Sequence, residues 1–283
     1  MPSVPKRTTA VKKLLSFALL AFLVGCTSQH GDSKSKDHEQ HQKDPHAGHA
    51  KDSGKAMLMV QSEPATVTSG QPTTLKMMIH GADGKMVKDF AIIHEQKAHL
   101  IIVRDGLDQF AHVHPEIDST GNLTISYTFP TGGTYRLYAD HQPVGGSQAT
   151  ATAEVKVVGE TPPNPALKPD VPGSVKGDGL NALVSVIPSK TGGETTIRFE
   201  ITDPTGAPVT DLQTYMGAMG HLVVLSQDGK QYVHAHPADD QKATSNVVAF
   251  DAHFPQAGLY KGWGQFKRGG QVHVVPFVMQ NEK

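Results

Sequence analysis

A single cysteine, Cys26, stands in the 283 residues, so no intramolecular disulfide forms and whatever folds must hold through its apolar cores alone. Aromatic residues are scarce at 6 %, and long heptad-like stretches are absent. With 28 glycines and 19 prolines to punctuate the chain, these absences favour an all-β protein rich in turns. Charge of one sign is lacking too. The net charge of −1 gives no reason to expect nucleic acid as a partner. The apolar run Leu14 to Val24 is too short to be a comfortable membrane span.

That run has a different character. Lys6, Arg7, Lys12 and Lys13 precede it, and it ends Leu23-Val24-Gly25-Cys26. The ending resembles a bacterial lipobox, whose cysteine is diacylated and becomes the mature N-terminus. The resemblance implies a lipoprotein signal peptide over residues 1–25, and Cys26 as the lipidation site, with palmitate among its acyl groups. Two acyl chains anchor a protein stably where one does not, so membrane lipid is an expected partner. The expected location is the extracytoplasmic face of the cell membrane or outer membrane. The plainer alternative is an ordinary signal peptide or N-terminal anchor with an incidental cysteine.

Residues 26–55 are polar and carry His30, His38, His41, His46 and His49. A segment with so little to bury is expected to be a disordered tether, one whose histidines capture metal loosely. Two repeats follow, expected at 56–159 and 178–283, with a proline-rich linker at 160–177 that reads as extended and semi-rigid. Thr74-Leu75-Lys76 matches Thr196-Ile197-Arg198, and Gly133-Thr134-Tyr135 matches Gly258-Leu259-Tyr260. In the first repeat strands are expected at roughly 57–61, 73–80, 97–103, 110–114, 122–129, 134–140 and 150–158. About seven short strands in about 100 residues is the pattern of an immunoglobulin-like or cupredoxin-like β-sandwich.

The repeats share a histidine pattern. His99, His112 and His114 recur as His221, His234 and His236, each 122 positions on. Residues i and i+2 of a strand share a face, so His112 projects with His114 and His234 with His236. In the second repeat a hairpin centred on Asp228-Gly229 pairs Leu225 with Tyr232 and His221 with His236. In the first, Asp105-Gly106 would pair His99 with His112, whereas the homologous register pairs it with His114. Either register leaves three imidazoles on one face, near enough to share an ion. Neutral imidazole is a common ligand of late transition metals. Upstream of the trios, Met219 is a candidate thioether ligand, and Met216 and His94 occupy equivalent positions as additional candidates. Thioether with imidazole favours copper; zinc is the alternative. Core packing is the competing role for both methionines.

The stretches Tyr215-Met216-Gly217-Ala218-Met219-Gly220-His221 and Tyr232-Val233-His234-Ala235-His236-Pro237 resemble a module of bacterial exported proteins linked to heavy-metal handling. His99-Leu100-Ile101-Ile102-Val103 and His112-Val113-His114-Pro115-Glu116 resemble the same module. The families in view are the YtkA-like exported domains and, more distantly, the CopC-like copper-binding β-sandwiches. The resemblance implies metal binding outside the cytoplasm. CopC-like proteins typically use an N-terminal histidine; here an acylated Cys26 would stand there, so that binding mode is not carried over.

Three functions compete. The first is a lipid-anchored metal-binding protein for copper buffering, resistance or delivery, with a metal-transport membrane protein as a partner. The second is an interaction module docking a membrane protein, its histidines structural. The third is a three-histidine metalloenzyme. Against the enzyme, Glu116 of the first repeat is replaced by Ala238 in the second, and no nucleophile elbow or His-Glu-x-x-His occurs.

Overall fold

Alternation of apolar and polar residues is realised as strands throughout, and among the described residues no helix forms. The computed structural model describes residues 56–188, 194–238 and 245–282, with His234 and His236 described by their backbone alone. The expected signal peptide, Cys26 and the His-rich tether lie outside the described residues. Within them, no helix is long and apolar enough to cross a membrane.

The first repeat contributes β1 (Met57–Glu63), β2 (Val67–Thr68), β3 (Pro72–His80), β4 (Ala98–Arg104), β5 (Phe110–Val113), β6 (Glu116–Ile117), β7 (Leu123–Thr128), β8 (Gly133–His141) and β9 (Ala149–Val158). The second contributes β10 (Gly173–Lys176), β11 (Asn181–Ile187), β12 (Thr195–Thr202), β13 (His221–Ser226), β14 (Tyr232–Pro237), β15 (Val247–Ala252), β16 (Gly258–Arg268) and β17 (Gln271–Asn281). All seven strands expected in the first repeat are present; the two-residue β2 and β6 are additional.

In the first repeat the order is β5-β4-β8-β9 in one layer and β1-β3-β7-β6 in the other, joined at the single parallel pair Met57–Thr152. In the second it is β10-β11-β12-β15-β14-β13-β16-β17. There β14 changes layer midway: Tyr232–His234 pair with β13, and Ala235–Pro237 with β15. Leu75, Met77, Ile79, Leu100, Ile102 and Leu137 fill the first sandwich; Phe199, Ile201, Leu222, Val224, Phe250 and Phe277 fill the second. Tyr135 Oη donates to Thr131 O at 3.0 Å and Tyr260 Oη to Gln256 O at 2.9 Å. Both are the tyrosine corner of immunoglobulin-like sandwiches.

A third apolar cluster lies between the repeats. Ile101, Val103 and Tyr138 of the first repeat meet Val223, Leu225 and Trp263 of the second. This explains why every residue of β4 and of β13 is buried. Leu100 and Ile102 face their own sandwich while Ile101 and Val103 face the other repeat, as alternation along a strand requires. Phe110 stacks on Trp263 with centroids 4.7 Å apart, and Tyr138 on Tyr232 at 5.5 Å. Phe110 and Tyr232 are repeat equivalents, as are Tyr138 and Trp263, so the two stacks are one contact made twice about a pseudo-two-fold axis.

The proline-rich stretch is more than a spacer. Leu167 packs against the inter-repeat cluster, Pro162 O accepts a hydrogen bond from Arg104 Nη1 at 2.8 Å, and Asp170 Oδ1 accepts one from Val278 N at 2.7 Å. The Pro162 carbonyl and the Asp170 carboxylate thus fasten the segment to both repeats. Strand β10 begins inside it.

Candidate metal centre

The hairpin of β4 and β5 sets the first trio. Leu100 pairs with Val113 and Ile101 with His112, the register homologous to the second repeat, where Leu225 pairs with Tyr232 as expected. His99 therefore lies level with His114, not His112. The loop is four residues long, and Leu107 takes the left-handed conformation at φ 55°. Asp105-Gly106 thus stands one residue ahead of the position its counterpart Asp228-Gly229 occupies. The trio sits on the face of β4 that carries Ile101 and Val103, the face turned toward the other repeat.

Three nitrogens converge there. His99 Nδ1 lies 3.0 Å from His112 Nε2 and 3.2 Å from His114 Nε2, and the three ligand atoms lie within 4.8 Å of one another. The far side of two rings is fixed. His99 Nε2–H donates to Ile93 O at 2.9 Å, and His112 Nδ1–H donates to Gln265 Oε1 at 2.9 Å. A carbonyl oxygen can only accept, so a neutral His99 presents its Nδ1 lone pair to the cluster, and a neutral His112 its Nε2 lone pair. Outward N–H groups held by oxygens are the pattern of metal-ligating histidines.

Burial disfavours the charged forms of His112 and His114. Burial, then repulsion from the His99 and His114 rings, pushes the His112 imidazole down to about 3. Burial and then His99 push His114 down to about 4. Two lone pairs facing at 3.0 Å repel unless a cation lies between them. With protonation disfavoured at His112 and His114, a metal ion at about 2 Å from each nitrogen fits the arrangement.

The second repeat repeats one of these bonds. His221 Nε2–H donates to Tyr215 O at 2.8 Å, the equivalent of the His99 bond, and His221 is 9 % exposed. His234 pairs with Val223 along the backbone; the side chains of His234 and His236 lie outside the described groups. Met219, expected beside His221, belongs to the apolar core of the second repeat. Met216 is buried at the tip of the turn Tyr215–Ala218. His94 stands at the equivalent turn tip, its ring 5.2 Å from His221 and 6.1 Å from His99.

Two polar residues escaped the sequence reading. Gln265 pairs with His221, and Asp140 with His99, on neighbouring strands. Both are buried, and they are repeat equivalents of unlike type, so no shared motif marks them. His94, His99, His112, His221, Asp140 and Tyr232 are among the residues lining a cavity of about 20 Å³ between the repeats, room for about one water or ion.

Comparison with known proteins adds a family and little else. The sequence matches the family described as "Domain of unknown function (DUF8832)" at residues 53–159 and again at 175–283. No curated protein matches it. Among solved structures, InvD of Yersinia pseudotuberculosis is 12 % identical with a TM-score of 0.25, over 78 % of this chain and 57 % of that one. Invasin, a bacterial integrin-binding protein, is 12 % identical with a TM-score of 0.23, over 79 % of this chain and 39 % of that one. Domains 5–6 of the S-layer protein SbsC are 13 % identical with a TM-score of 0.21, over 80 % and 98 %. The chain thus spans about half the length of the first two, and likenesses at these scores carry no argument about function.

Proposed function

The chain belongs to the DUF8832 family, with two copies of its domain in tandem, and from its own residues we propose that it is a metal-binding protein in which His99, His112 and His114 hold a late transition-metal ion. One observation carries this reading: His99 Nδ1 and His112 Nε2 face each other at 3.0 Å while the opposite nitrogen of each ring is tied to an oxygen. An imidazole-only set suits copper and zinc. Copper is the first choice, on the resemblance of the histidine motifs to YtkA-like and CopC-like modules. By sequence equivalence, His221, His234 and His236 would supply a second set. With the expected lipid anchor at Cys26, the protein would buffer or deliver metal outside the cytoplasm, handing it to a metal-transport membrane protein. Binding rather than catalysis is the reading, since Glu116 has no acidic counterpart in the second repeat.

The test is a titration of the chain with Cu(I), Cu(II) and Zn(II), alongside a variant with His99, His112 and His114 changed to alanine. Binding with a rise in Tm that the variant loses is expected, because a ligand taken only by the folded state must stabilise it. Equal binding by the variant would move metal capture away from the trio and leave its histidines a structural role.

A further inference from the structure

His221 of the second repeat lies close to the histidines of the first. His94 belongs to the first repeat, yet its ring lies closer to His221 of the second, at 5.2 Å, than to His99 of its own, at 6.1 Å. His112 and His221 are 6.4 Å apart between ring centroids. Support runs the other way as well. Gln265 of the second repeat accepts from His112 of the first at 2.9 Å.

The backbone explains the crossing. Ile93 and Gln96 exchange both hydrogen bonds, at 2.7 and 3.0 Å, closing a two-residue turn with His94 at φ 47° and Glu95 at φ 65°. The second repeat repeats the turn, with Met216 at φ 49° and Gly217 at φ 77°. The turns meet across the pseudo-axis: a Cβ built on Gly217 would lie 3.8 Å from Glu95 Oε1. Each turn tip is thereby carried toward the opposite repeat. Because Tyr215 O holds His221 Nε2–H, a neutral His221 turns its Nδ1 lone pair away from that carbonyl.

We propose that a dinuclear metal centre lies between the repeats: His94 joins His221 on a second ion in the cavity, beside the one held by His99, His112 and His114. The proposal rests on the metal-binding reading above and deepens it. The ligand class is a pair of late transition-metal ions, as an imidazole-rich, carboxylate-poor lining favours. His94 serves the opposite repeat, so neither repeat alone completes the centre. The aromatic stacks Phe110–Trp263 and Tyr138–Tyr232 hold the two halves at this spacing.

The experiment uses the full chain with His30, His38, His41, His46 and His49 changed to alanine, loaded with one and then two equivalents of Cu(II). Electron paramagnetic resonance at two equivalents is expected to show mutual broadening of the two spins, absent at one. In His94→Asn the second equivalent is expected to weaken at least tenfold while the first is unchanged, and the broadening to vanish. Asparagine tolerates the left-handed backbone, and the spin measurement on the unmodified centre stands even if that variant fails to fold. Two equivalents without mutual broadening would overturn the dinuclear centre and leave the single-site reading intact. Loss of the first equivalent in His94→Asn would assign His94 to its own repeat and overturn the crossing. A chain that binds no Cu(II) would overturn the metal reading itself.

Discussion

At the scale of single residues the proposed centre would depend on groups that never touch the ion. Gln265 fixes the tautomer of His112, and removal of such a partner typically costs about 10–100-fold in metal affinity. Gln265→Ala is therefore expected to weaken the first equivalent by about that factor, with the far-UV spectrum unchanged. Gln265→Glu keeps an oxygen to accept the His112 Nδ1–H and is expected to restore most of the affinity. Both are read by competition titration, and equal affinities across the three proteins would remove Gln265 from the site. The same burial predicts a pH effect on the metal-free protein. The imidazoles of His112 and His114 are pushed down to about 3 and about 4, whereas in the unfolded chain they protonate near about 6.5. Between those values the unfolded state binds more protons, so stability falls as pH drops below about 6.5 and stops falling on their account once pH is below their folded values. Tm followed from pH 7 downward is expected to decline less steeply in the His112→Ala/His114→Ala protein than in the unmodified one.

At the scale of elements, the hairpins show what a sequence discloses and what it hides. Strand positions follow from alternation, and the second-repeat pairing follows from Asp228-Gly229, where Gly229 takes φ 67°. The first repeat has no glycine at the equivalent place. Leu107 takes φ 55° there, held by Arg104, whose Nε and Nη2 donate to the Asp108 carboxylate at 2.8 Å each. A dipeptide rule looks for glycine and so sets the first turn one residue early; homology between the repeats sets it correctly. The trio's convergence on one face was legible in both registers because the period of a strand is two. That this face meets the other repeat was not, since Ile101 and Val103 read as ordinary buried-strand residues. For Met219 the sequence left ligation and core packing both open, and the residue lies in the second core. Leu107 also allows a test of which term dominates. Glycine would relieve about 1 kcal/mol of left-handed strain, but deleting a side chain that is 3 % exposed in the inter-repeat cluster costs about 2–5 kcal/mol. Leu107→Gly is thus expected to be net destabilising by about 1–4 kcal/mol in urea unfolding. A gain in stability would mean that the strain outweighs the packing.

At the scale of the whole molecule, tandem duplication has been turned inward. Two sandwiches that each close around their own core also share a third cluster, in which Trp263 is 3 % exposed and stacks on Phe110. Duplicated surfaces are self-complementary about a two-fold axis, which is how one set of positions supplies both sides of the contact and brings His99, His112 and His221 to the axis. Trp263 faces this interface rather than the core of its own repeat, so Trp263→Ala strikes the coupling between the sandwiches before either of them. Its cost is expected at about 3–5 kcal/mol, and its form matters more than its size. A chain whose repeats are held together unfolds as one unit; with the interface weakened, each sandwich is free to melt alone. Scanning calorimetry is expected to show a single transition in the unmodified protein and two in Trp263→Ala. Because Gln265 lies two residues further along β16, the same variant is expected to loosen the support of His112 and lower the affinity for the first ion. A single transition with undiminished metal affinity would mean that the sandwiches are coupled elsewhere, and that the aromatic stacks do not hold the centre together.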